Sequence, residues 1–116
     1  MIGLRAGELD RRITLLQPQE TGRDDWNNPI IGRVEIAKVW AKKTDVSDAE
    51  RVRAQEVGAT ITTRFVIHYS SQVRNVDPTH LIAFDGRIYD ISAVKEVGRR
   101  EGLEITATAR AEREQA

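Results

Sequence analysis

The chain contains no cysteine. That single absence excludes disulfides, thiol nucleophiles, iron–sulfur clusters and thiolate zinc sites. There are two histidines, His68 and His80, so a three-histidine zinc site cannot form within one chain. Aromatic residues make up 5% of the sequence, too few for the stacking platform on which single-strand-binding proteins hold successive bases. Neither sign of charge is in excess: 18 lysines and arginines face 18 aspartates and glutamates, for a formal net charge of zero. Dedicated nucleic-acid binders carry a basic excess, and none is present. No apolar run approaches the roughly 18 residues of a membrane span. Arg5, Glu8 and Asp10 interrupt the N-terminal stretch where a signal peptide would place its apolar core, which points to a protein made and assembled in the cytoplasm.

What is present is 116 residues, 40% hydrophobic and 31% charged. This is the composition of one globular domain, residues 1–116, without a repeat or low-complexity tract. Arg12–Gln17 alternates as a strand that Pro18 ends or marks as an edge. Residues 19–32, QETGRDDWNNPIIG, are rich in turn formers and read as a long protruding loop or an extended hairpin. Arg33–Thr44 is a second strand whose alternation slips between Ile36 and Val39, the mark of a bulge or bend near Ala37–Lys38. Ser47-Asp48-Ala49-Glu50 is a capping box opening a short helix that Gly58 ends.

Thr60–Tyr69 alternates throughout, with Ile61, Thr63, Phe65, Ile67 and Tyr69 on one face. His80–Phe84 and Arg87–Ile91 flank Asp85-Gly86, the pair favoured in a two-residue hairpin turn. The second of these strands runs on to about Val97, and Gly98–Gly102 is a charged turn. A last strand starts near Leu103, and residues 111–116 form a polar tail. Five or six short strands with one short helix and one long loop fit a mainly β fold, a small antiparallel barrel or sandwich.

The residues that carry chemistry do not assemble into a catalytic set. No glycine-rich phosphate loop of either common spacing occurs. His68 and His80 read as surface histidines; with Asp85 or Asp90 they are the sole candidates for a two-histidine, one-carboxylate metal site. Asp77 starts a turn before Pro78, Asp85 belongs to the hairpin turn, and Asp90 falls on a solvent-facing position. Ser70 and Ser71 lie near His68 without a nucleophile elbow. No enzyme activity, metal or cofactor is expected. Lys42, Lys43, Arg51, Arg53 and Arg64 are candidates for a positive stripe facing DNA or an interface, and Lys95, Arg99 and Arg100 for another. Nearby Asp45, Asp48, Glu50, Glu56, Glu96 and Glu101 balance them into an ordinary solvated face.

Trp26 stands out. A tryptophan among Arg23, Asp24, Asp25 and Asn27, with Ile30 and Ile31 following, is either an anchor that folds its loop or an exposed contact for a partner. Trp40, mid-strand, reads as core or subunit interface. A compact β domain with an apolar-tipped loop favours an assembly protein over an enzyme; the alternative is a small β-barrel that binds nucleic acid through the basic residues above.

The order of segments resembles the phage head–tail joining family, the head-closure or stopper proteins of the neck. Leu4-Arg5-Ala6-Gly7-Glu8-Leu9-Asp10-Arg11-Arg12-Ile13-Thr14-Leu15 is similar to the family's opening. Gln17-Pro18, the loop with Asp24-Asp25-Trp26-Asn27, and Val39-Trp40-Ala41-Lys42 follow in order. The helix with Ala49-Glu50 and Ala54-Gln55, Thr63–Tyr69, and Leu81–Ile91 complete the set. His68 stands where family members often have arginine. The resemblance implies a structural β-barrel that assembles as a homo-oligomeric ring, commonly twelve-fold. That ring would lie between portal or adaptor proteins and tail proteins, in the virion neck of a siphophage, prophage or gene transfer agent. It would close the channel after double-stranded DNA has passed and present a tail docking surface, with no membrane involved. The loop at 19–31 would then contact a ring partner or gate the channel.

Overall fold

The computed structural model describes residues 6–46 and 60–110. A 3-10 turn, Ala6–Glu8, precedes six strands: β1 (Arg11–Arg23), β2 (Pro29–Asp45), β3 (Thr60–His68), β4 (Leu81–Phe84), β5 (Arg87–Val97) and β6 (Gly102–Arg110). All neighbours are antiparallel, and the sheet closes on itself in the order β1-β2-β3-β6-β5-β4. The expected barrel-or-sandwich choice thus resolves to the closed arrangement. The short helix expected after Ser47 lies outside the described residues.

Alternation explains the closure. One face of β3 buries Ile61, Thr63, Phe65 and Ile67, while Arg64 and His68 stay exposed. Across the ladder these residues meet Ala109, Ala107, Ile105 and Leu103 of β6, all buried. Ile13 and Leu15 of β1, Ala37 and Ala41 of β2, Ile82 of β4 and Tyr89 and Ile91 of β5 complete the interior. Large rings and small alanines interdigitate there. Phe65 meets Tyr89 edge-on at 5.2 Å and Phe84 at 6.0 Å, the arrangement that ring quadrupoles favour.

Val73 and Val76, from the connection between β3 and β4, are buried in the same core. Their short turns are fixed by Val73 and Arg74 N–H groups donating to the Ser70 carbonyl and by Val76 donating to that of Val73. Two positive φ angles, 51° at Asp85 and 74° at Gly86, make the β4–β5 connection the two-residue turn that Asp-Gly favours.

Residues 19–32 take the extended-hairpin form of the two expected for them, not that of a protruding loop: β1 continues through Pro18 to Arg23, β2 begins at Pro29, and only residues 24–28 turn. Pro18 pairs with Arg33 in a stretch where β1 has already left β4, so its missing N–H deprives no second neighbour. The slip in β2 is a bulge at Ile36, because Leu15 opposes Ala37 while Leu16 opposes Glu35. His80, read as a surface residue, is buried. Its ring lies 3.1 Å from the Asp77 carboxylate, and its Nδ1 is 3.2 Å from the Asp77 N–H, within the turn that feeds β4.

Candidate functional site

β1 touches β4 only at Thr14–Leu16, and β2 touches β3 only at Ala41–Asp45. Beyond Leu16 and before Glu35 the two long strands have no third neighbour, and their outer halves leave the barrel as a two-stranded arm. At about 3.3 Å per residue, Gln17–Arg23 reaches roughly 20 Å past the barrel. The dimensions agree: the extents are 54 × 37 × 20 Å and the radius of gyration is 15.4 Å, against about 13 Å for a compact chain of this length.

An isolated two-stranded ribbon is marginal in water, so the arm needs local fixing. The tip supplies it. The Asp24 Oδ1 accepts from the N–H groups of Trp26 and Asn28, both at 2.9 Å. Asp24 N–H donates to the Asn28 carbonyl and Asn27 N–H to the Asp24 carbonyl. Arg23 donates from Nη1 to the Asn27 carbonyl at 2.9 Å and lies 3.4 Å from Glu20. Asn27 takes the left-handed φ of 62° that asparagine tolerates. Lower down, Thr21 donates to the Ile30 carbonyl at 3.4 Å across a bulge.

This network holds the turn without using the indole. Trp26 is 81% exposed, so the anchor reading is corrected and the side chain is on display. Ile31 (63%), Ile30 and Val34 add exposed apolar surface to the arm. Cross-strand register puts Ile30 and Val34 on one face and Ile31 with Arg33 on the other. Asp25, adjacent to Trp26 in the turn, is exposed too.

A second exposed aromatic lies at the base of the hairpin. Trp40 is half exposed, which removes the core alternative for it. With Ala37 and Ala41 inward, Trp40 faces outward and opposes Arg12 of β1. The Arg12 guanidinium carbon sits 5.3 Å from the ring centroid, a cation–π contact. Trp40's same-face neighbours along β2 are Lys38 and Lys42, both exposed. Each is in loose contact with an acid: Lys38 with Glu35 and Lys42 with Glu8, both at 3.8 Å.

The expected basic stripe is only partly brought together. Lys42 and Arg64 share the outer face, but Arg64 is 3.9 Å from Glu104. Lys43 points the other way, half-buried, 3.0 Å from Asp45, which also accepts from Thr63. Arg51 and Arg53 lie outside the described residues. His68 and Asp90 are exposed, and among the described residues no three histidines or carboxylates gather as a metal site. The sequence reading missed the Arg12–Trp40 pair, although the parity of Val39 and Ala41 already required Trp40 to face outward.

The family model for the phage head completion protein matches residues 4–110. Among solved structures, the chain is similar to a protein of Shigella flexneri 2a known in solution, at 24% identity and a TM-score of 0.65, covering 95% of this chain and all of that one. That likeness concerns the fold. It is also similar to a chain of the virion of a native gene transfer agent particle, at 25% identity and a TM-score of 0.61, covering 86% of this chain and 93% of the other. No curated protein sequence matches the chain. The chain therefore belongs to the phage head completion protein family and is a structural protein of the head–tail region of a phage or phage-like virion.

Proposed function

We propose that the chain is a head-closure subunit. Copies form a ring between the portal or adaptor and the tail, obstruct the channel once DNA is packaged, and offer the tail its docking surface. The family match supports the place in the particle. The observation that carries the mechanical part is the arm: a braced ribbon, exposed along its length, with an 81% exposed tryptophan at its end. Nothing within the described subunit covers that tip, so the arm serves contact with something outside it. Trp26 with Ile30 and Ile31 supplies apolar area, and Asp24 fixes the turn that presents it.

The role is mechanical and needs no cofactor. Ring subunits meet through unlike patches, so a small local charge or apolar feature is repeated around the axis. The nucleic-acid reading gains little support, because the chain has no basic excess and Lys43, one of its candidate residues, is half-buried against Asp45. Electron microscopy of particles from a strain lacking the gene, with packaged DNA quantified, tests the proposal. Tailless heads that lose DNA, beside finished tails, are expected; tailed particles with full DNA would refute it.

A further inference from the structure

We infer that the arm tip of one copy docks on the Trp40 wall of the next copy, an inference that rests on the ring reading above. The two surfaces are complementary in charge. At the tip, Trp26 lies within the Asp24–Asn28 turn next to Asp25, which is exposed, and the two aspartates outnumber Arg23 there. At the base, the nearest same-face neighbours of Trp40 are three cations: Arg12 across the ladder and Lys38 and Lys42 along the strand. The acids near these lysines, Glu35 and Glu8, sit at 3.8 Å on exposed surface. Such pairs contribute little and can be exchanged for the incoming carboxylate. The exposed Trp26 indole, laid against Trp40 and Arg12, would desolvate the cation–π contact, and that strengthens it.

The occupant must be another copy. The stretch Pro29–Trp40 of β2 spans roughly 36 Å at about 3.3 Å per residue. The two ends belong to one continuous hairpin, so the tip cannot fold back to its own base. Tip and base are different patches of the same chain. A contact between them is therefore heterologous and propagates from subunit to subunit, closing a ring when the rotation permits.

The absence of cysteine makes the test clean. Two differently tagged variants, Asn28→Cys at the tip and Asp10→Cys beside Arg12, are expressed together with the unmodified chain, so that assembly does not depend on either. Purified particles are treated with a short bis-maleimide. The expected product is the covalent heterodimer of the two variants. Adding Asp25→Lys to the tip variant should lower its yield several-fold, and Lys38→Glu on the other variant should restore part of it. Particles holding both variants but giving no heterodimer would overturn the inference, as would a product linking only tip to tip. Loss of DNA from gene-deleted heads without the heterodimer would leave closure standing and remove this contact. A heterodimer from a strain whose gene-deleted particles keep DNA and tails would do the reverse.

Discussion

Arg12 lies over the outward face of Trp40, its guanidinium carbon 5.3 Å from the ring centroid, on the wall from which the β1–β2 arm departs. Both residues spend surface that a monomer has no need to display. Exposed cation–π pairs contribute about 0.5–1 kcal/mol, so Arg12→Ala should lower thermal stability only slightly. Its larger expected effect is on assembly: in a strain whose sole copy is Arg12→Ala, fewer tailed particles should form, counted by electron microscopy. A variant that unfolds several degrees lower and assembles normally would assign the pair to folding alone.

Phe65 makes the opposite prediction. It is fully buried at the centre of the barrel against Tyr89 and Phe84. Phe65→Ala should cost about 3–5 kcal/mol, a large share of the roughly 5–15 kcal/mol that holds a small domain together. Urea denaturation followed by tryptophan fluorescence or circular dichroism reads this directly. A midpoint close to that of the parent would mean that the closed core is packed differently.

Asp24→Ala should free the arm tip while leaving the barrel intact. Two backbone N–H groups, of Trp26 and Asn28, lose their shared acceptor. Their amide hydrogens should exchange faster, and those of Phe65 and Ile105 should keep their protection, as measured by hydrogen exchange with nuclear magnetic resonance. Asp24→Asn, whose side-chain oxygen can still accept, should restore part of the slowing. Equal exchange in all three proteins would show that the tip is not held by this carboxylate.

The turn before β4 carries an acid-sensitive contribution. Thr79 donates to the Asp77 carboxylate from its hydroxyl and its backbone N–H, and His80 adds to this. These contacts, the hydroxyl of Thr79 first, hold the Asp77 pKa below its ordinary 3.8. A carboxyl depressed on folding stabilises the fold fully above its unfolded value, and that stabilisation is lost as pH falls through the folded value. The stability difference between the parent and Asp77→Ala should therefore be constant above about pH 5 and shrink below about pH 4. A difference that does not change with acid would contradict this.

Much of the barrel was legible in the sequence because strand alternation and burial coincide. Thr60–His68 alternates in sequence and in burial alike, and Asp85-Gly86 has the turn conformation its composition favours. The arm was harder to read. Gly22, Asp24, Asn27, Asn28 and Pro29 are turn formers, but the pairing of Gln19–Arg23 with Pro29–Gly32 is set by two strands holding each other in register. Local composition does not report that. Trp40 was ambiguous for a different reason: the parity of Val39 and Ala41, past the Ile36 bulge, turns it outward, but parity alone does not say whether another element covers an outward side chain. His80 was misread because its burial comes from a turn packing onto the core, and a single residue type carries no signal of that. That Arg12, Lys38 and Lys42 surround Trp40 on one face becomes visible only when β1 and β2 are laid side by side.

The decisive measurement is a reconstruction of the neck of intact particles by cryo-electron microscopy, at a resolution that traces the strands. A closed ring of copies of this chain across the DNA path between portal and tail, each arm reaching its neighbour, is the expected result. Finding the chain as isolated copies, or away from that path, would contradict it.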